Sequence, residues 1–159
     1  MTHVAKLKPE PPHLGEMGLE NFAPYLMNRI IGRYNAAVQT EMAALGLTTP
    51  QMRALAVLSV LDGILIGELA VYAVVEKSTL SRALDALEQN NMIRRETDDQ
   101  DSRATRVFMR TQGREAYDRL WPHMSEAESA MFKGIDPVEK RAFLETLQMI
   151  LRNIRKHDF

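Results

Sequence analysis

Several residue types and patterns are absent from this sequence, and each absence excludes a class of protein. The 159 residues contain no cysteine, which excludes a disulfide framework, a thiolate metal site and a thiol-based redox switch. The longest apolar stretch, around Leu55–Leu61, stops at Asp62 and is too short to cross a bilayer. The first residues, Met1–Pro12, lack the apolar core of a signal peptide. We therefore expect a cytoplasmic protein without a membrane anchor.

The usual signs of catalysis and of cofactor binding are also missing from the sequence. The four histidines are scattered, and no two of them have the spacing of metal ligands; they are His3, His13, His123 and His157. There is no glycine-rich phosphate loop, and no nucleophile has a base nearby in the sequence. These absences predict a protein that is not an enzyme and that uses no metal or cofactor.

The composition is typical of one folded domain with helical extensions. Hydrophobic residues make up 45% of the chain and charged residues 26%, close to the average of globular proteins. The formal net charge is −1, and the segment 76–110 carries as many acidic as basic residues. Net charge therefore gives no argument for nucleic-acid binding, and any such argument depends on where individual charges lie.

Apolar residues recur at helical spacing along most of the chain. The period predicts a helix over 21–45, and Thr49 followed by Pro50 is a start signal for the next one. Further helices are predicted over about 51–61, 66–74 and 77–89, then from Thr111 for some twenty residues, and again after Asp136. The segment 77–89 pairs a polar face with an apolar stripe formed by Leu80, Leu84 and Leu87.

One segment has the pattern of strands and not of helices. Met92–Glu96 and Thr105–Met109 are short strand candidates, and the polar, charged loop 97–104 joins them. A loop of this length and charge predicts a protruding wing and not a tight turn.

This order of elements predicts a mainly α fold with a small β-hairpin, a winged helix-turn-helix with flanking dimerisation helices. We divide the chain into a flexible N-terminal arm (1–20), an N-terminal dimerisation helix (21–48), a winged helix-turn-helix (49–110) and C-terminal dimerisation helices (111–159). The flanking helices have apolar stripes that the small module cannot cover alone, which favours a two-fold dimer. The alternative is a helical bundle that buries every apolar stripe within one chain.

The second helix of a helix-turn-helix places its first residues at base edges in the DNA major groove. The start of 77–89 carries residues that suit this position, and the candidates are Lys77, Ser78, Thr79, Ser81 and Arg82. Arg82 can bind the two acceptors of a guanine, and Asp85 is close enough in sequence to orient it. The alternative is an ordinary solvated face with a hydroxyl-rich first turn.

The loop of the hairpin carries a second candidate contact. Arg103 near the tip is suited to the minor groove, and Asp101 would hold its guanidinium in a bidentate pair. Arg95 and Arg106, with Arg94 and Arg110, line the base of the hairpin as candidate phosphate contacts or as plain surface cations. The alternative for the loop is a flexible acidic segment that touches nothing.

These segments resemble the MarR (multiple antibiotic resistance regulator) family. The similarity lies in Leu47–Leu55, in Gly67–Ala70 with Lys77–Glu88, in the wing Asp101–Ala104 with Val107–Met109, and in Leu120–Pro122 with Asp136–Lys140. It covers nearly all of 20–155. The chain departs from the family pattern at Val74, where the turn often has glycine, and at Glu76, where the recognition helix often has a serine cap.

The resemblance implies a homodimeric transcription regulator, usually a repressor, that binds palindromic double-stranded DNA and is often released by a small aromatic acid or phenol. It also implies that Ser78, Thr79 and Arg82 read the major groove, and that Arg103, oriented by Asp101, reads the minor groove. The rival function is a winged-helix module that binds a protein and not DNA.

The same resemblance places a small-molecule crevice between the DNA-binding lobe and the dimerisation helices. Met27, Tyr34 and Met52 are candidates to line this crevice, and Arg53, Arg29 or Arg33 is a candidate to meet a carboxylate. The alternative is that the methionines fill the core and that the arginine forms a salt bridge.

Overall fold

A computed structural model of the protein describes residues 9–159, and most of these residues are helical. In chain order the elements are α1 (Leu14–Met17), a 3₁₀ turn (Leu19–Asn21), α2 (Ala23–Ala44), α3 (Thr49–Leu58), β1 (Ile64–Leu65), α4 (Ile66–Ala73), α5 (Lys77–Gln89), β2 (Ile93–Thr97), β3 (Thr105–Met109), α6 (Thr111–Met131) and α7 (Pro137–Ile154). The mainly α fold class with a small sheet is confirmed. None of the helices within 9–159 is long and apolar enough to span a membrane.

The predicted N-terminal arm is partly helical. Its residues before position 9 lie outside the described part of the chain. The rest contains α1 and the 3₁₀ turn, which the sequence analysis did not predict because four and three residues are too few to show a period. Two short helical turns therefore lie within or at the end of the predicted arm, and its flexibility stays a prediction.

The chain forms two compact units. The first ends at Ala37 and contains α1, the 3₁₀ turn and the first part of α2. The second runs from Val38 to Phe159 and contains all of the buried apolar residues of the described chain, which lie between Val38 and Met124.

The core of the second unit lies among the helices of the helix-turn-helix. Helix α3 packs against α4, α5 and α6. The leucines of the predicted stripe on α5, Leu80, Leu84 and Leu87, are at most 1% exposed. Replacing one such leucine with alanine costs about 2–5 kcal/mol in comparable cores. The polar face of α5 is therefore the outer face.

The N-cap of helix α3 lies one residue earlier than predicted, and the helix covers Thr49–Leu58 instead of about 51–61. Its N-cap is Thr48, whose side chain accepts from the backbone N–H of Gln51, while the Gln51 side chain accepts from the backbone N–H of Thr48 at 2.9 Å. This reciprocal pair is a capping box. It places Thr49 and Pro50 inside the first turn, so Thr49 is not the cap.

The predicted hairpin belongs to a three-stranded antiparallel sheet. Strand β3 lies in the middle, with β2 on one side and the two-residue β1 on the other. In β2 and β3, Ile93 faces Met109 and Thr97 faces Thr105, while Ile64 of β1 faces Val107. The third strand fixes the wing to the segment that joins α3 and α4.

Two glycines permit close approaches that hold the sheet in place. Gly63 has a φ of +78°, and a Cβ there would lie 2.7 Å from the ring of Phe108. A Cβ on Gly113 of α6 would lie 2.2 Å from the backbone oxygen of Met92. A side chain therefore does not fit at Gly63, against the ring of Phe108, or at Gly113, where α6 packs on the backbone that leads into β2.

Helix α7 is amphipathic but buries none of its residues. Its N-cap Asp136 accepts from the backbone N–H of Val138 at 2.8 Å, as the sequence predicts for the start of this helix. The stripe on α7 remains exposed, with Phe143 at 45%, Leu151 at 60% and Ile154 at 72%. One chain therefore leaves a long apolar helix face uncovered, contrary to what a self-contained bundle requires.

Candidate nucleic-acid interface

The turn between α4 and α5 sets the direction in which α5 leaves the module. Val74 ends α4 in the left-handed conformation, with φ 54° and ψ 52°. The N–H of Val75 donates to the carbonyl of Ala70 at 3.1 Å, which closes the end of the helix. Arg53 of α3 donates to the carbonyl of Val74 at 3.3 Å. A β-branched residue is strained in this conformation, and these contacts hold it there.

The first turns of α5 present a polar face to solvent. Lys77, Ser78, Ser81 and Arg82 are exposed, while Thr79 is half-buried. The capping residue Glu76 makes no side-chain cap bond to this helix. The side chains predicted to read a major groove therefore share the first two turns of one helix.

The acid predicted to orient Arg82 has another partner. Asp85 accepts from Arg95 of β2 at 2.8 Å, and Glu88 also binds Arg95. Burial opposes the charged form of this guanidinium, but the hydrogen bonds that it donates to Asp85 and Glu88 outweigh the burial and raise the pKa of Arg95. Asp85 thus ties the recognition helix to the sheet, and the predicted pair with Arg82 is not formed.

The wing is anchored at its base by a second ion pair. Arg106 of β3 donates through Nε to Asp98 and through Nη1 to the carbonyl of Gly63 at 2.8 Å. Asp98 also accepts from the backbone N–H groups of Gln100 and Asp101. The hydrogen bond from Arg106 lowers the pKa of Asp98, despite a smaller opposing effect of desolvation. Arg95 and Arg106, both predicted as DNA contacts, therefore have partners within the fold.

Asp101 acts on the backbone of the wing and not on the guanidinium that it was expected to hold. Its Oδ1 accepts from the backbone N–H of Arg103 at 2.9 Å, the geometry of a turn closed by an aspartate side chain. Within residues 9–159 there is no ion pair between the Asp101 and Arg103 side chains. The guanidinium of Arg103 is left exposed at the tip.

The cations of this region fall into two groups. Arg94 pairs with Glu96 and lies 4.2 Å from the ring centre of Phe108, and Arg95 and Arg106 are paired as described. By contrast, the described structure gives the side chains of Lys77, Arg82 and Arg103 no hydrogen bond or ion pair. Paired charges stabilise the framework, and the exposed, unpaired ones on α5 and the wing tip remain available to phosphates or bases.

The four residues predicted to bind an effector lie in different surroundings. Met27 and Tyr34 are half-buried on α2 in the first unit. In the second unit Met52 is 4% exposed within the core, and Arg53 bonds to the α4–α5 turn. A cleft of about 240 Å³ in the second unit is lined by residues other than these four, namely Ala44, Leu45, Met92, Gln112, Glu115, Ala116 and Arg119.

Known proteins show the same combination of fold and sequence. The model of the MarR family matches residues 47–105, the helix-turn-helix and most of the wing. A MarR-family transcriptional regulator from Silicibacter pomeroyi is 57% identical, with 93% of this chain and 100% of that chain aligned and a TM-score of 0.88. This protein belongs to the MarR family. The resemblance noted in the sequence is thereby confirmed, and members of this family are DNA-binding transcription regulators.

Two more distant proteins extend the comparison. The transcriptional repressor IacR of Pseudomonas putida is 22% identical over 143 residues, which are 90% of this chain and 86% of IacR. The Bordetella bronchiseptica protein BpsR, whose DNA binding is regulated by 6-hydroxynicotinic acid, is 20% identical, with 80% of this chain and 96% of BpsR aligned and a TM-score of 0.69. The similarity to BpsR shows a shared fold.

Proposed function

We propose that this protein is a homodimeric, sequence-specific repressor that grips a palindromic operator with two copies of α5 and two wings. Lys77, Ser78, Thr79, Ser81 and Arg82 face the major groove, and Arg103 enters the minor groove from the wing tip. The function requires binding and no catalysis.

One observation carries the DNA-binding part of this proposal. The cations at the start of α5 and at the wing tip are exposed and unpaired, although acids are plentiful nearby. Asp85, Glu88 and Asp98 are all occupied by framework arginines. Lys77, Arg82 and Arg103 are therefore free to meet phosphates. Glu76 and Asp99 have no ion pair in the described structure either, so the argument depends on where the free cations lie, at the helix start and the wing tip, and not on a local excess of positive charge.

The uncovered face of α7 supports the dimer. Seven of its large apolar residues are exposed at 37–72%, and monomeric proteins rarely leave an apolar face of this kind in water. A two-fold partner that contributes the same face covers both copies at once. Such a dimer presents two α5 helices, and their separation must match one turn of DNA, about 34–36 Å.

Selection of bound duplexes from a random pool tests the proposal. We expect an enriched sequence with two inverted half-sites. Binding to that sequence should weaken as salt rises, since each phosphate contact contributes a slope of about 0.9 in log affinity against log salt. A protein that binds no duplex at low salt would instead be the protein-binding alternative.

A matched pair of α5 variants assigns the contact. Arg82→Ala removes a free cation from the second turn, whereas Gln89→Ala changes an exposed residue at the far end of the same helix. We expect Arg82→Ala to cost about 1–3 kcal/mol of operator binding and Gln89→Ala to change little. Equal effects of the two variants would contradict the assignment of the helix N-terminus to the groove.

We further propose that a small, planar acid releases the DNA. The regulation of BpsR by 6-hydroxynicotinic acid supports this choice of ligand class. Arg53 is the candidate to meet the carboxylate of the ligand, whereas Met52 lies in the core. Aromatic carboxylic acids added to the protein–operator complex should release DNA in a saturable manner. Arg53→Gln should weaken that response more than it weakens DNA binding, while an unchanged response would exclude Arg53 from the effector site.

A further inference from the structure

The segment after α7 contacts the helix-turn-helix. Arg155 ends α7 in an extended conformation. The ring of Phe159 then lies 5.2 Å from the ring of Tyr72 on α4, measured between ring centres, at an interplanar angle of 31°. The ring of His157 lies 5.3 Å away from Phe159, nearly parallel to it at 23°. Three aromatic rings thus join the end of α7 to α4.

This contact is not part of the core. On α4 the inward residues Leu69 and Ala73 are at most 3% exposed, whereas Tyr72 is 41% exposed on the outer side of the helix. Phe159 is also 41% exposed. The described structure gives the side chains of residues 155–158 no ion pair or hydrogen bond, so the aromatic contact is what fixes this segment. The contact therefore joins the end of α7 to the outer side of α4, while the start of α7 is held to the end of α6 by Lys140–Glu128 and Phe132–Phe143.

We propose that Tyr72 and Phe159 form a latch that positions the recognition helix relative to the dimer. Helix α4 packs directly on α5, so a contact that restrains α4 also restrains α5. Helix α7 carries the exposed apolar face that we assign to the partner subunit. The latch therefore links the dimer face to the DNA-reading helix and limits the range of separations between the two copies of α5. This inference rests on the proposed function as a dimeric operator-binding protein.

If the latch limits the separation of the two α5 helices, the protein should prefer one spacing between half-sites. The test uses the full chain and duplexes that carry the selected half-sites at their selected spacing, and with one base pair added or removed. Wild type should bind the selected spacing at least tenfold more tightly than the altered ones. Phe159→Ala and Tyr72→Ala should each lose most of this preference while the dimer persists, because α5 then samples more positions.

Three controls separate positioning from general damage. Tyr72→Phe retains the ring and should retain the preference, and Asp158→Ala in the same segment should also leave it intact. The double variant of Tyr72→Ala with Phe159→Ala should resemble either single variant, since one contact is lost in all three. If Tyr72→Ala fails to fold, Phe159→Ala alone decides, because Phe159 follows the last helix.

The outcomes distinguish the latch from the proposed function. If wild type binds no duplex, the proposed function fails and the latch fails with it. If wild type binds with a spacing preference and Phe159→Ala keeps that preference in full, the latch alone is overturned. An equal loss of preference in Asp158→Ala and Phe159→Ala would also overturn it.

Discussion

Individual arginines in this protein divide into those that hold the fold together and those that are free. Arg95 joins β2 to α5, and Arg106 joins β3 to the wing and to Gly63. Arg82 and Arg103 have no such partner in the described structure. All of these residues are arginines, and what separates the two groups is whether a carboxylate of the fold binds the guanidinium.

The exposed guanidinium of Arg103 should contribute to operator affinity. Arg103→Ala should lower operator affinity at least tenfold and leave the proposed dimer intact, because the wing tip loses the cation that we propose enters the minor groove. Gln100→Ala, an exposed and uncharged change in the same loop, is the matched control and should leave the affinity nearly unchanged. Fluorescence anisotropy with a labelled operator measures both, and equal affinities of wild type and Arg103→Ala would contradict the wing assignment.

The ion pair of Asp98 with Arg106 should make the stability of the protein depend on pH. The pKa of Asp98 is lowered in the folded protein, chiefly by the hydrogen bond from Arg106. Its contribution to stability is therefore fully present above the unfolded-state pKa near 3.8 and is lost as the pH falls through the lower, folded value.

We therefore expect Asp98→Asn to be less stable than wild type at pH 5–7, and the difference to shrink at more acidic pH. Urea unfolding at a series of pH values measures it. The exposed neighbour Asp99 supplies the control variant Asp99→Asn, which should show a smaller difference. The difference in free energy of unfolding between wild type and Asp98→Asn could instead stay constant into strong acid. That result would show that Asp98 does not anchor the wing through its charge.

Sequence reasoning found the free cations but not the partners of the acids. Asp85 was expected to orient Arg82, and Asp101 to hold the guanidinium of Arg103. Both depend on contacts that no local pattern encodes, namely the approach of β2 to α5 and the path of the wing backbone. Spacing along the chain limits which residues can meet but does not decide between competing partners.

Whole elements were more predictable where their pattern was long. Helix α5 begins and ends where predicted, because a 13-residue amphipathic period is followed by an Asn pair in which Asn91 has a φ of 55°. Strand β1 was missed, because its two residues become a strand only by pairing with β3. The cap of α3 was placed at Thr49, although Thr48 with Gln51 has the spacing of a capping box.

The turn before α5 contains a strained valine, Val74. Val74→Gly should stabilise the protein by about 0.5–1 kcal/mol, since relief of roughly 1–2 kcal/mol of strain exceeds the entropy that glycine adds to the unfolded chain, about 0.4–1 kcal/mol. Val74 is 78% exposed, so little packing is lost.

Chemical denaturation measures this change against Val75→Gly, the matched control. Val75 lies outside the left-handed region, so glycine there should destabilise the protein. A destabilised Val74→Gly variant would contradict the strain assigned to valine in this turn.

The proposed dimer depends on the exposed apolar face of α7. The apolar stripe predicted from the sequence is present, and the structure leaves it exposed along 18 residues. The surface that packs on this stripe could not be predicted from one chain. An amphipathic period shows that one helix face is apolar, but it does not identify the surface that buries this face.

Leu151→Glu tests the dimer directly. Leu151 is 60% exposed in the single chain, so the charge should leave the subunit folded but prevent association by placing a carboxylate in the interface. Arg152→Glu reverses a charge one position along the same helix and is the control. Sedimentation velocity should show a monomer for Leu151→Glu and a dimer for Arg152→Glu, whereas a dimer for both would mean that another surface mediates association.

The most direct test of the account is the mass of the complex with one operator duplex, measured by sedimentation equilibrium. The account requires two chains of 18.1 kDa on each duplex, with both copies of α5 engaged. We predict the mass of one duplex plus two chains across the range of concentrations at which binding occurs. A complex that contains one chain for each duplex, at full affinity for the palindrome, would contradict it.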